Sequence, residues 1–241
     1  MLKKTEKTCK KVCIGIILIV ACFIIGYNIH ENMHVHFEDE NMGILICDTI
    51  GNGVTVDNVR YKDLKEVEEL YVGHVGYYET LEDIEKCKKL QTLFINEMSM
   101  EYDSAYKINE GQVGKILSTE EVEKIQEELN KILPRLRNLK EFSFTNAANN
   151  CNIQNIDFLE KCKSVEKISV VYCNIDDYSI LANCPQLKEI DLDGSQIETA
   201  DDLLKLEGIE KFSLRETPLS QNVEEVERLR EAFPEAQVVI N

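Results

Sequence analysis

A chain of 241 residues with 44% hydrophobic residues can bury a sizeable core, and Gly at 11 positions with Pro at 4 is too sparse for a collagen-like or disordered chain. The formal net charge of −17 excludes a binder that works by neutralising nucleic-acid phosphates. With no Trp and aromatics at 7%, a platform for stacking single-stranded bases is excluded as well.

The first eleven residues carry Lys3, Lys4, Lys7, Lys10 and Lys11 against Glu6, a local charge of +4. From Val12 to His30 there is no formal charge over nineteen residues. As a helix these would reach ~28 Å, close to the ~30 Å of a bilayer's hydrocarbon core. Flanking lysines favour a cytoplasmic N-terminus. The expected organisation is therefore a basic cytoplasmic tail at 1–11, a transmembrane anchor or signal sequence at 12–29, and a juxtamembrane linker at 30–36. The remainder would be an extracytoplasmic, cell-surface region in which 43 acids face 22 bases. Two alternatives to a retained anchor stay open. Ile19-Val20-Ala21-Cys22 resembles the bacterial lipobox, which would make Cys22 a lipidation site, and simple cleavage would remove the segment altogether.

Past the apolar run, His30-Glu31-Asn32-Met33-His34 spells H-E-x-x-H, which on a helix places two imidazoles on one face for zinc with the Glu as base. A short juxtamembrane stretch has no catalytic domain around such a site, so a polar hinge with chance spacing is the expectation and no metal or cofactor is assigned.

From residue 67 the chain repeats itself. Val67-Glu-Glu-Leu70-Tyr-Val72, Leu90-Gln-Thr-Leu93-Phe-Ile95, Leu139-Lys-Glu-Phe142-Ser-Phe144, Val165-Glu-Lys-Ile168-Ser-Val170, Leu187-Lys-Glu-Ile190-Asp-Leu192 and Ile209-Glu-Lys-Phe212-Ser-Leu214 share apolar residues at offsets 0, 3 and 5. The last three begin 22 residues apart and place Ile175, Ile197 and Leu219 at offset 10. Residues 97–134 interrupt the pattern. Residues 97–117 read as an exposed excursion, and the chain to Ile132 reads as an amphipathic helix capped by Thr119, with Val122, Ile125, Leu129 and Ile132 on one face. Asn146 to Asn149 read as a loop insertion.

This pattern resembles the leucine-rich repeat, L-x-x-L-x-L-x-x-N/C-x-L with a period of 20–29 residues. The resemblance implies an α/β solenoid whose coils each give one short strand to a parallel sheet with a solvent-facing concave side. Phe37 to Gly51, Val54-Thr55 and Leu64 look like the helical N-terminal cap (37–66) of internalin-type bacterial surface proteins. Leu229-Arg-Glu-Ala-Phe233-Pro234 to Ile240 looks like a closing helix and final strand. Such scaffolds bind other proteins, so the resemblance implies a non-catalytic recognition or adhesion module with another protein or a cell-envelope component as partner. A structural cell-envelope protein is the alternative.

The cysteines fit the coils better than a disulfide framework. Cys87, Cys162 and Cys184 each stand three residues before a strand, and Cys151 and Cys173 take offset 8, where Ser195 and Thr217 stand later. Buried structural thiols are expected, with offset 8 donating to a neighbouring coil's carbonyl. Asp191-Leu-Asp193-Gly194 lacks the remaining ligands of an EF-hand loop and lies on a strand. His74, the only histidine within the repeats, leaves little for acid–base chemistry. Offsets 2, 4 and 6 point to the concave face, giving Tyr71, Phe94, Ser143, Ser169, Glu189, Asp191, Asp193, Lys211 and Arg215 as the candidate binding residues, with the two aromatics as anchors.

Overall fold

The structure is a computed structural model that describes residues 2–96, 115–146 and 149–241, with side chains in the first helix described from residue 16 onward. Helix α1 (Leu2–Glu31) and helix α2 (Glu40–Ile50) precede a seven-stranded parallel sheet. Its strands are β1 (Glu69–Val72), β2 (Thr92–Ile95), β3 (Glu141–Thr145), β4 (Lys167–Val171), β5 (Glu189–Asp191), β6 (Lys211–Ser213) and β7 (Gln237–Val239). They lie side by side in chain order without a crossover. Helix α3 (Thr119–Ile132) stands between β2 and β3, and α4 (Pro218–Gln221) and α5 (Val223–Ala232) between β6 and β7. A sheet whose spatial order equals its sequence order, one strand per 22–26 residues over most of its length, is a solenoid of the leucine-rich repeat kind.

One backbone device recurs at each step from β1 to β6. Glu166 and Lys167 both donate their N–H to the Lys140 carbonyl at 2.7 and 3.0 Å, Lys188 and Glu189 to Glu166 at 2.8 and 3.1 Å, and Glu210 and Lys211 to Lys188 at 2.8 and 3.1 Å. Gln91 and Thr92 treat Glu68 in the same way, and Lys140 and Glu141 treat Gln91. The strands are thereby held in register, with Tyr71 opposite Phe94, Phe94 opposite Ser143, Ser143 opposite Ser169, and Ser169 opposite Asp191.

The apolar offsets form one continuous core. Leu70, Leu93, Phe142, Ile168, Ile190 and Phe212 are buried at offset 3. Short 3₁₀ turns (Glu82–Lys86, Asp157–Lys161, Ser179–Asn183) close the opposite wall, each capped by a cysteine whose N–H bonds back into the turn. Cys87, Cys162 and Cys184 hold the place that Leu64, Leu136 and Leu206 hold in other coils, as small apolar residues. All are free thiols, and burial pushes those of Cys87, Cys151 and Cys162 up to about 12. At offset 8 the expected bond to a neighbouring coil is not made. Cys173 Sγ lies 3.5 Å from the carbonyl of Val171, and Thr217 Oγ1 lies 2.7 Å from that of Leu214, both within their own coil. The inter-coil role falls to asparagines instead. Asn96 Nδ2 donates to Thr145 O at 2.7 Å and Asn150 Oδ1 at 2.9 Å, and Asn146 Nδ2 donates to Tyr172 O of the next coil at 3.3 Å.

Between β2 and β3 there is one coil, because the two strands pair directly. Helix α3 replaces the 3₁₀ turn there, burying Ile125, Leu129 and Ile132 as expected from its spacing. Its N-cap is Ser118, one residue before the predicted Thr119, because Ser118 completes a capping box with Glu121. Glu128 locks the helix to the preceding coil, accepting from Thr80 Oγ1 at 3.0 Å and Leu81 N at 2.8 Å. Residues 97–114 of the predicted excursion lie outside the described residues.

Helix α2 buries Met42, Leu45, Ile46 and Cys47 beside β1. Its N-cap Asp39 accepts from Met42 N at 2.7 Å, and the wholly buried Asp83 accepts from Glu38 N at 3.1 Å and Asp39 N at 2.8 Å. Asp39 also accepts from the Glu79 amide, so two carboxylates tie the N-terminal segment to the first coil. Residues 33–35, read as part of a linker, are paired with the chain ahead of β1: Val35 N donates to Val59 O at 3.1 Å, and Tyr61 N to Met33 O at 3.2 Å. Among the described residues no helix is long and apolar enough to cross a membrane. The described part of α1 exposes Ile16 to Val20, Phe23, Ile24, Ile25, Tyr27 and Ile29.

Asp83→Ala leaves buried amides without acceptors and is expected to cost about 1–3 kcal/mol, read as a lower urea midpoint by circular dichroism. Lys115 and the Ser118 backbone amide hold the Glu121 carboxyl down to about 2, below its ordinary 4.5. Its contribution is therefore present above pH 4.5 and is lost as pH falls toward 2. Glu121→Gln should flatten the acid limb of the stability–pH curve, and Ser118→Ala should cost about 1 kcal/mol at neutral pH.

Candidate interaction surface

The alternation of each strand leaves one sheet face open, and in-register pairing turns equivalent offsets into rows across it. The offset-4 row runs Tyr71, Phe94, Ser143, Ser169, Asp191, Ser213. At its start Tyr71 and Phe94 are stacked, ring centroids 4.8 Å apart and planes 3° from parallel, and Tyr71 is 43% exposed. Parallel pairing forces this stack, since register partners on one face have nowhere else to put two rings. Tyr71 Oη lies 3.3 Å from Glu69 Oε2, so the ring's polar end is anchored on its own strand.

The middle of the row is shallow. Ser143 is partly exposed, and Ser169, expected on the open face, is 7% exposed because its short side chain is sunk between longer neighbours. Toward the C-terminal coils the surface is charged but compensated. Lys167 bridges Glu141, and this bond, more than its neighbours' charges, raises the lysine's pKa. Asp193 accepts from Ser213 Oγ and the Arg215 amide, each at 2.8 Å, and pairs with the Arg215 guanidinium at 3.5 Å. Asp191 accepts from Asp193 N at 3.1 Å, while burial raises its carboxyl's pKa. Glu189 and Lys211 are register partners. The two aromatics thus come together, and among the site's charged residues Asp193 and Arg215 pair.

A feature the sequence reading missed lies at the rim. Tyr172 adopts a left-handed conformation (φ 56°), its ring lies over Gly194 of the next coil, and its hydroxyl donates to Glu216 Oε2 of the coil after at 3.0 Å. That bond raises the Tyr172 pKa. Tyr172, Gly194 and Glu216 all stand at offset 7, and all have positive φ. A non-Gly residue there is uncommon, so the recurrent Gly194 was the available signal.

The H-E-x-x-H spacing does not make a metal site. Helix α1 ends at Glu31, leaving His34 beyond it in an antiparallel bridge with Arg60, so the two imidazoles do not share a helix face. Glu31 pairs with Lys65, and the His30 ring lies against Tyr61, tilted by 34° with centroids 4.3 Å apart. His74 has both ring nitrogens engaged: Nδ1 accepts from Gly76 N at 2.8 Å and Nε2 lies 2.8 Å from Lys115 O. Nearby, a cavity of about 400 Å³ between Val75–Leu81 and α3 has charged walls that are paired, Lys115 with Glu121 and Lys124 with Glu128. Among the described residues no group of three or more His, Cys, Asp or Glu could hold a metal ion. Cys22 is exposed on α1.

Gly194→Ala would drive a Cβ into the Tyr172 ring at a positive φ, with an expected cost of about 1–3 kcal/mol. In a Tyr172→Ala background the clash is relieved, and Gly194→Ala should cost only the backbone penalty of about 1 kcal/mol, measured as a double-mutant cycle in urea.

No protein-family model matches the sequence, and none of the curated proteins matches it. Solved structures to which it is similar include an internalin (inlF) from Listeria monocytogenes, 16% identical over 85% of this chain and 63% of that one, TM-score 0.42. Others are an internalin C2 from the same bacterium, 16% identical over 85% and 94%, TM-score 0.40, and a leucine-rich repeat protein from Leptospira interrogans, 15% identical over 73% and 50%, TM-score 0.37. The chain spans less than two thirds of the inlF internalin. The assignment of the coils to the leucine-rich repeat type rests on their own period, offsets and parallel register.

Proposed function

We propose that this chain is a non-catalytic recognition module, held at the outer side of a membrane, that binds another protein or a cell-envelope component through the open sheet face around Tyr71 and Phe94. The stacked aromatic pair, with Tyr71 exposed and Phe94 half-buried, carries this reading, because rigid aromatic anchors dominate interface energetics. The charged half of the face supports it by contrast: Lys167 and Arg215 are spent on Glu141 and Asp193 and offer a partner little net charge. In this reading residues 1–11 are a basic tail, 12–29 the anchor, 37–66 a cap built on α2, and 67–241 the repeat region with its insertion at 97–134. The exposed isoleucines of α1 support anchoring, since such a surface is unfavourable in water. Cys22, exposed on that helix, is the thiol that lipidation would use.

The test is a pull-down with the full chain against its Tyr71→Ser/Phe94→Ser variant. A partner retained by the native chain and lost with the variant is expected. A partner bound equally by both would move the surface elsewhere, and identical behaviour with no partner would favour a structural cell-envelope role.

A further inference from the structure

The end of α1 is fastened to the segment just ahead of β1 by contacts that do not resemble a tether. Glu31 pairs with Lys65, whose ammonium also sits 4.9 Å over the Tyr27 ring and 2.5 Å from the Tyr27 hydroxyl. His30 packs its ring at a tilt against Tyr61, centroids 4.3 Å apart, and Lys62 N donates to Glu31 O at 3.0 Å. Residues 59–65 are therefore fixed to the last turn of α1, the turn that follows the apolar run ending at Ile25.

Along a helix, Ile25 to Glu31 is only ~9 Å. If residues 12–29 lie in hydrocarbon, as the anchoring reading has it, His30 and Glu31 stand at headgroup depth, and Arg60, Tyr61 and Lys62 are carried there with them. Those are the residue types that favour this depth. Tyrosine places its ring among glycerol groups with its hydroxyl in water, and long basic side chains reach phosphates while their stems stay apolar. Lys62 is exposed, and among the described residues no ion pair engages it or Arg60. The acids nearby are Asp57, Asp63 and Glu66, with Glu31 already paired and Asp63 accepting from the Arg60 amide at 2.8 Å. Against these four acids stand Arg60, Lys62 and Lys65, so the stretch is close to neutral within a region otherwise strongly acidic, which weakens the repulsion that would lift it from a phospholipid surface.

We infer that residues 59–65 form a membrane seat: Tyr61, Arg60 and Lys62 rest in the phospholipid headgroup layer and hold the repeat region in a fixed attitude to the bilayer. This rests on α1 being the anchor, and the test separates the two claims. Because the chain has no Trp, single replacements report depth directly. The full chain is reconstituted in phosphatidylcholine–phosphatidylglycerol vesicles, with a portion of the lipid brominated either near the glycerol or deep in the acyl chain. Phe23→Trp should lose emission to the deep bromines, Tyr61→Trp to the shallow ones, and Val223→Trp, exposed near the other end of the solenoid, to neither. Full emission from Phe23→Trp would overturn anchoring and the seat with it. Quenched Phe23→Trp beside a Tyr61→Trp as bright as Val223→Trp would overturn the seat alone. Adding Arg60→Glu and Lys62→Glu to Tyr61→Trp should restore emission, and unchanged quenching would contradict the role given to the two bases.

Discussion

Two successive amides donating to one carbonyl of the preceding coil is the interaction on which the rest depends. Repeated from Glu68 to Lys188, it fixes the register of the five parallel steps from β1 to β6. A slip of one residue would turn every apolar offset out of the core and every polar one in. Because the register does not slip, the side chains at each offset become rows, and a row is a property no single coil has. The core is such a row, as are the buried cysteines that close the turns and the open face that a partner could meet.

Rows also explain why the open face divides. Neighbouring coils place like offsets about 4.8 Å apart, so adjacent residues must be compatible. Two rings satisfy this by stacking, as Tyr71 and Phe94 do, and opposite charges satisfy it by pairing, as Glu141 and Lys167 do. The first solution leaves an apolar surface available to a partner, whereas the second consumes its own capacity. The recognition proposed for the N-terminal coils follows from that difference, not from the number of charged residues elsewhere.

Period and offsets were legible in the sequence because each coil repeats the same burial problem. The six predicted strands, the closing strand at Gln237–Val239 and the buried face of α3 all follow from them. What was not legible depends on contacts between coils that have no fixed spacing. Asn96 and Asn146 take the inter-coil hydrogen bonds that offset 8 was expected to make, because their amides reach the next coil's carbonyls while Cys173 Sγ turns back to its own. Ser118, not Thr119, caps α3 because the choice is decided by the position of Glu121. Residues 33–35 read as a polar hinge, since nothing local announces that Val59 and Tyr61 will pair with them. At the candidate surface the aromatic pair could be named from offsets alone. Its stacking, the recession of Ser169 and the Tyr172–Glu216 rim contact required the register.

The central claim, that the coils stack in one register, is tested most directly by thiol accessibility. Cys87, Cys151, Cys162, Cys173 and Cys184 occupy repeated positions in four coils and are buried only in that register. Alkylation of the full chain, mapped by mass spectrometry, should leave all five unmodified under native conditions and modify them together as urea unfolds the solenoid. Modification of any of them in the native chain at a rate approaching that in urea would contradict the stacking, and with it the rows from which the surface is built.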